Sequence, residues 1–334
     1  MAIRQTPDAA RFAAIVATAA NAAKSPFHKS LRSIPGDVTS VPKHVNARSL
    51  APMATTERIA AATHMGPVEL TVADLARSVA YWRDEIGLEE VGEDGGQVSL
   101  GAGGRELVTL VEEPGAEPAG RYTGLFHVAL LVPERADLAR WIGHAIRDRV
   151  PLTGASDHFV SEALYLQDPD GHGIEIYWDR PREVWKGQVF QRMTTLPLDV
   201  DSVMGELGGE EPGDFEGMPG GTTVGHVHLQ VADVQETVDF YDGVLGFDVT
   251  ARIGDQAAFL SAGGYHHHVG GNTWNSRGAG PAPPGTAALR HATIVVPDAL
   301  ELDRLADRVG EVEEREDGIL VRDPSGIGLL VTAA

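Results

Sequence analysis

Cysteine is absent from all 334 residues. Its absence excludes a disulfide framework, a thiolate metal site and a cysteine nucleophile, so any metal must be held by histidines and carboxylates. Such chemistry suits a reducing cytoplasm, where we expect the protein to reside. No run approaches the roughly 18 apolar residues of a membrane span, and no membrane association is expected. Positive charge is scarce, with 27 Lys and Arg against 48 Asp and Glu and a net charge of −21. This argues against nucleic acid or an anionic lipid surface as partner.

The basic residues are unevenly placed. Residues 1–60 hold 8 Lys and Arg against 3 Asp and Glu, which leaves 19 against 45 in the remainder. This Ala-rich, acid-poor head resembles a transit peptide in composition. The plainer expectation is a disordered or weakly helical extension over 1–63 outside the fold, with Met53 as the more natural beginning. Glycine is abundant at 39 residues, which suits many short strands joined by turns.

Internal similarity organises the chain beyond that head. Val68-Glu-Leu-Thr-Val-Ala-Asp-Leu75 and Val227-His-Leu-Gln-Val-Ala-Asp-Val234 share one pattern, an alternating strand followed by Ala-Asp at the start of a helix. The helices match too, Ser78–Leu88 against Thr237–Phe247. A second pair joins Phe126-His-Val-Ala-Leu-Leu-Val-Pro133 with Arg290-His-Ala-Thr-Ile-Val-Val-Pro297. Each of these leads through a helix to an Asp-Pro-x-Gly turn (Asp168–Gly171 and Asp323–Gly326) and a closing strand. Proline fixes φ and glycine takes positive φ, so such a sequence turns by mechanism.

The chain therefore reads as four βαβββ modules of an α+β fold. We expect a first domain over 64–180 (modules 1 and 2), a Gly/Pro-rich linker over 181–223 whose Trp185–Arg192 part packs on the first half, and a second domain over 224–334 (modules 3 and 4). Paired modules curve around a cleft as half-barrels.

Alignment of the four opening strands places Pro67, His127, His226 and His291 at one cavity-facing position. In the closing strands we align Glu175 with Leu329, so module 2 supplies the carboxylate. Glu175 lies between two isoleucines, where an unpaired buried charge is costly. Two histidines and a carboxylate that leave one face of a metal open form the facial triad of non-haem Fe(II) oxygenases. We assign His127 and Glu175 as metal ligands and His226 as the third, with His228, two residues on and on the same side, as its competitor. A lone strand histidine is more often a satisfied core or surface residue; the coincidence across modules is what favours a ligand role. His291, facing a leucine, reads as structural.

Two further clusters accompany the triad. In Gly264-Tyr-His-His-His-Val-Gly-Gly-Asn-Thr-Trp274, alternation puts His266 and His268 on one face and His267 on the other. His158 and Tyr165 precede Glu175 by 17 and 10 residues, close enough for the hairpin bearing Glu175 to bring them to one cavity.

With Gly225-His-Val-His-Leu, the His triplet, Ser161-Glu-Ala-Leu-Tyr-Leu and Asp168-Pro-Asp-Gly-His-Gly-Ile-Glu-Ile-Tyr, residues 64–334 resemble the vicinal oxygen chelate superfamily. Within it they resemble the two-domain extradiol dioxygenases of the catechol 2,3-dioxygenase type. The resemblance implies Fe(II), sometimes Mn(II), held by His127, His226 and Glu175. It also implies a catechol substrate and O2, ring opening next to the diol to a hydroxymuconic semialdehyde, and often a homo-oligomer. By position, Tyr165 would hydrogen-bond the catecholate, His267 would be the acid/base near dioxygen, and His158 would contact substrate. Many such enzymes take their ligands from modules 3 and 4, whereas here modules 2 and 3 would build the site. Two other readings remain open. A glyoxalase-like isomerase or lyase would draw an added carboxylate from Glu69 or Glu106, and a metal-free drug-binding protein would need no triad.

Overall fold

Each module opens with a strand that leads into a helix, and in modules 1, 3 and 4 the turn is made at an aspartate whose side chain satisfies free N–H groups of the helix. Asp74 accepts from the N–H of Arg77, Asp233 from those of Gln235 and Glu236, and Asp298 from that of Glu301. The computed structural model describes residues 57–209 and 214–334. The expectations for residues 1–56, with Met53 as a beginning, and for linker residues 210–213 lie outside the described residues. Residues 57–63 pack on the body: Ile59 is buried with its N–H on the Gly246 carbonyl, and Ala60 N–H donates to Glu301.

Module 1 runs strand His64–Val72, helix Leu75–Tyr81, then strands Glu89–Asp94, Gln97–Ala102 and Arg105–Glu112. Module 2 has Gly124–Leu131, helix Arg135–Asp148, Gly154–Asp157, Ser161–Gln167 and Gly173–Asp179. Module 3 has Thr223–Gln230, helix Val234–Tyr241, Asp248–Ile253, Ala257–Ser261 and Val269–Asn272. Module 4 has Leu289–Val296, helix Ala299–Val309, Glu313–Arg315, Gly318–Arg322 and Gly328–Ala333. The four βαβββ units are present, and they form two curved sheets.

The partners in each sheet differ from chain order. Modules 1 and 4 share one eight-stranded sheet, and modules 2 and 3 share the other. In each sheet the two opening strands pair antiparallel at the centre, His64–Val72 with Leu289–Val296 and Gly124–Leu131 with Thr223–Gln230. The boundaries at 180 and 223 mark a change of module; the sheet continues across them. Local sequence cannot choose between these pairings, because every opening strand offers the same edge.

Modules adjacent in the chain are joined differently, through the Asp-Pro turns. Asp168 accepts from the N–H groups of Asp170 and His172 and from Trp82 Nε1 of the module 1 helical region. Asp323 repeats this with Ser325, Ile327 and Tyr241 of module 3. Trp82 and Tyr241 occupy matching places and are fully buried.

Burial pushes the Asp323 carboxyl up to about 6, against the pull of its backbone and Tyr241 hydrogen bonds. A carboxyl raised above its unfolded value of 3.8 binds more protons when folded, so its contribution to stability falls as pH rises from about 4 to about 6. Asp323→Asn keeps an acceptor for the turn and buries no charge. Urea denaturation should show the variant gaining on wild type through that window by on the order of 1–3 kcal/mol, then holding the gain. A difference independent of pH would reject this account.

Candidate metal centre

The concave face of the module 2/3 sheet brings the triad together through register. Glu175 lies beside Ala129 in parallel pairing, and Ala129 faces His226 across the central antiparallel pair. The small Ala129 side chain lets the carboxylate and the imidazole converge above it. His127, two residues back on the same strand face, completes the group. Glu175 Oε2 is 2.9 Å from His127 Nε2 and 3.1 Å from His226 Nε2. One donor from each residue lies within 4.8 Å of the others, and all three side chains are buried.

The chemistry of this donor set fits a divalent ion. His127 Nε2 is buried and lacks an aligned hydrogen-bond partner despite its distance to Glu175. Burial alone would raise the Glu175 carboxyl, but His226 and His127 hold it well below the usual range. Burial lowers His226 to about 4, against the attraction of Glu175. An ionised carboxylate and a neutral imidazole are the forms that bind metal.

His228 lies opposite His127 in the central pair, with ring centroids 5.1 Å apart, but its donors are outside the group of three. Its ring leans over Gly270, where a Cβ would come within 3.0 Å. The pairing also corrects the closing-strand alignment. Glu175 pairs with Ala129, and its counterpart in module 4 is Leu330, which pairs with Thr293. Leu329 is one residue too early, and a one-residue slip exchanges the faces of a strand. The Asp-Pro turns give the same count, seven residues from Asp168 to Glu175 and from Asp323 to Leu330. Module 4 still lacks a carboxylate there. His291 lies in the other sheet, 3.8 Å from Glu69. Glu69 pairs with Arg290 and Glu106 with Thr109 on that same far sheet, away from the triad.

A cavity of about 300 Å³ opens over the triad, with His127, Glu175, His226, His158, Tyr165 and His267 on its wall. These six residues, read from the sequence as ligands or catalytic groups, therefore reach one cavity. Tyr165 pairs with Glu175 across the hairpin. His158 Nδ1 donates to the Thr194 carbonyl at 2.7 Å, so its Nε2 accepts from the Tyr165 hydroxyl, also at 2.7 Å. Burial lowers the His158 imidazole and raises the Tyr165 phenol well above its ordinary range, the latter aided by Glu175. Both stay neutral at pH 7. The His triplet precedes the closing strand instead of starting it. His267 faces the cavity, and burial together with the neighbouring His226 holds its imidazole well below the ordinary range.

Sequence reading missed the apolar walls, Phe126, Val160, Ile253 and Phe259, and the linker's share, Met193 to Thr195. The linker does not merely span the halves: Trp185 and Val189 are buried with Val160 of module 2 and with Ala251, Ala257 and Phe259 of module 3. Asp179 was missed although it was readable. Glu175, Tyr177 and Asp179 alternate along one strand and so share a face.

The family model for the glyoxalase/bleomycin resistance protein/dioxygenase superfamily matches residues 64–176 and 223–329. The chain belongs to this superfamily. The two matched segments fall on modules 1–2 and 3–4. Within the superfamily, the chain is 40% identical over 272 residues to a catechol-2,3-dioxygenase of Bacillus subtilis (strain 168), covering 78% of this chain and 94% of that protein. A crystal structure of a candidate dioxygenase from Bacillus subtilis subsp. subtilis str. 168 shares the fold, with a TM-score of 0.55 and 16% identity over 83% of this chain and 86% of that one. Among the described residues of this superfamily member, no helix is long and apolar enough to cross a membrane.

Proposed function

We propose that the protein is an extradiol dioxygenase that opens a catechol ring next to its diol with O2, giving a 2-hydroxymuconic semialdehyde-type product. Fe(II) is the metal of this reading and Mn(II) its alternative, held by His127, His226 and Glu175. The observation that carries it is the buried His–His–Glu group facing a cavity with aromatic walls. Likeness to the Bacillus subtilis catechol-2,3-dioxygenase supports the same reaction class. The cavity volume of about 300 Å³ suits a compact ring, at the small end of ligand pockets.

The bound ion would supply the redox chemistry that lets a chelated diol and dioxygen react. The chain's residues do the rest. Phe126 and Phe259 provide apolar faces for a planar ring. Tyr165, hydrogen-bonded to His158 and beside Glu175, offers its hydroxyl to a substrate oxygen from the cavity wall. His267 moves protons at the side of the cavity beside His226, its ring centroid 4.1 Å away.

An isomerase reading calls for an added carboxylate beside the triad, and Glu69 and Glu106 are both on the other sheet. A drug-binding protein needs no buried Glu175 between two imidazoles. The deciding experiment loads the full chain with Fe(II) under nitrogen, adds catechol and then admits air. A yellow product that forms only with oxygen is expected, and turnover without oxygen rejects the reading. Tyr165→Phe should lower kcat/KM by about 10²-fold at unchanged bound iron; a variant with wild-type kinetics would remove Tyr165 from the reaction.

A further inference from the structure

The turn between strands Gly154–Asp157 and Ser161–Gln167 carries His158 to the cavity wall. Phe159, the next residue, has a φ of 69°, a left-handed conformation that a bulky side chain rarely adopts. A strained residue persists only where its surroundings over-determine it, and here they do. Phe159 N–H donates to Asp157 Oδ1 at 2.8 Å, and His158 N–H to the Ser161 carbonyl at 2.9 Å. The linker is bound to the same turn. Asp157 and Leu196 exchange both backbone hydrogen bonds, at 2.8 and 2.9 Å, and the Thr194 carbonyl lies 2.7 Å from His158 Nδ1. The Arg192 guanidinium sits 3.9 Å from the centre of the Phe159 ring.

Asp157 is itself held by Arg180, which directly follows the strand Gly173–Asp179 that carries Glu175. Arg180 Nη1 and Nη2 meet the two Asp157 oxygens at 2.7 and 2.9 Å, the fork-to-fork geometry that a guanidinium and a carboxylate share. Nη2 also reaches Glu162 Oε1 at 2.9 Å, and the buried Glu162 is gripped on its other oxygen by Arg135 at 2.6 Å. The Arg180 backbone belongs to the same junction. Its N–H donates to the Val160 carbonyl at 2.9 Å, and its carbonyl accepts from Trp185 Nε1 of the linker at 2.8 Å. Arg180 does not line the cavity, although the turn and the linker segment that it joins both do.

We propose that Arg180 is a positioning residue that acts through Asp157: it fixes the 157–161 turn and linker residues 193–196, and so sets His158 against the Tyr165 hydroxyl, 2.7 Å away. This inference rests on the dioxygenase reading for its effect on turnover; the grip on the turn stands without it. His158 and Glu175 lie on different segments, and Arg180 ties the end of the Glu175 strand to the turn that bears His158. A misplacement of about 1 Å at a reacting group can cost about 10²-fold in rate. A strained turn flanked by a linker needs such a tie, because backbone pairing alone leaves it free to relax.

Arg180→Met keeps an extended side chain and leaves the buried Glu162 its Arg135 partner. Full-length protein is compared by hydrogen–deuterium exchange and, loaded with Fe(II), by catechol turnover in air. Exchange should quicken by about tenfold or more in peptides spanning 157–161 and 193–197, and stay as in wild type in the strand His64–Val72 of the other sheet. Asp157→Asn breaks the ion pair but leaves an acceptor for Phe159 N–H, and should show the same confinement. Unchanged exchange at the turn, or an increase spread through both sheets in both variants, overturns the proposal. In turnover, Arg180→Met should lower kcat/KM by about 10- to 100-fold at unchanged bound iron. The decisive comparison repeats it in a His158→Gln background, where a residue acting through His158 changes kcat/KM by no more than about twofold. A fall of the same size in both backgrounds overturns the proposal. If wild-type protein turns over no catechol, the dioxygenase reading fails while exchange still decides whether Arg180 holds the turn.

Discussion

Glu175→Gln is expected to empty the site of metal and to lower kcat/KM by on the order of 10³-fold or more, a loss of about 4 kcal/mol of transition-state stabilisation. The substitution keeps shape and volume and changes only the charge and the donor. Glu175 is 2% exposed, and its Oε2 sits at 2.9 and 3.1 Å from the two imidazoles. A neutral amide offers a weaker oxygen and carries no negative charge to compensate a divalent ion. The metal-free protein should tolerate it well, because replacing a buried carboxylate by a neutral isostere removes a desolvation cost along with an attraction. Metal analysis after dialysis and a thermal melt of the metal-free form check both halves. Full metal occupancy in the variant would remove Glu175 from the ligand set.

Gly173→Ala should cost about 3 kcal/mol or more of stability and should also weaken metal binding. A Cβ on Gly173 would lie 1.9 Å from the Phe126 carbonyl oxygen and 3.1 Å from the His127 Cβ. The first of these is backbone and cannot rotate away. Relief requires parting the opening and closing strands of module 2, whose next pairs are Val128 with Ile174 and Ala129 with Glu175. The strands that must separate are those that bring His127 and Glu175 together. Gly154→Ala is the matched control, since its Cβ would meet the Tyr165 ring at an ordinary 3.5 Å. Urea denaturation and metal titration of both variants are the measurements. Equal stability of the two variants would contradict the close strand approach.

Gly173 also shows how much of the site was written locally. Its module 4 counterpart, Gly328, stands at the same distance from an Asp-Pro turn, and a Cβ there would lie 2.5 Å from the Arg290 carbonyl oxygen. A turn, a close strand approach and an alternating strand depend on neighbouring residues, so they repeat visibly along the chain. Counting faces is less forgiving: taking Leu329 where Leu330 belongs turned a side chain to the wrong side. The walls were illegible for another reason. Phe259 and Met193 are ordinary apolar residues whose meaning depends on which cavity they reach.

By itself the sequence determined the four modules, their N-capped helices and Asp-Pro turns, and the shortlist His127, Glu175, His226, Tyr165, His158 and His267. The modules and the first five of these residues come from residue type and short spacing, while the choice of His267 within its triplet came from the resemblance to the extradiol dioxygenases. Only the tertiary structure decided that module 2 pairs with module 3, that Ala129 makes room for Glu175 and His226 to converge, and that Asp179 reaches His266. The physical reason is that strand edges carry the same backbone groups in every module, so pairing is chosen by the fit of whole faces. The contacts that make the site are long-range products of that choice.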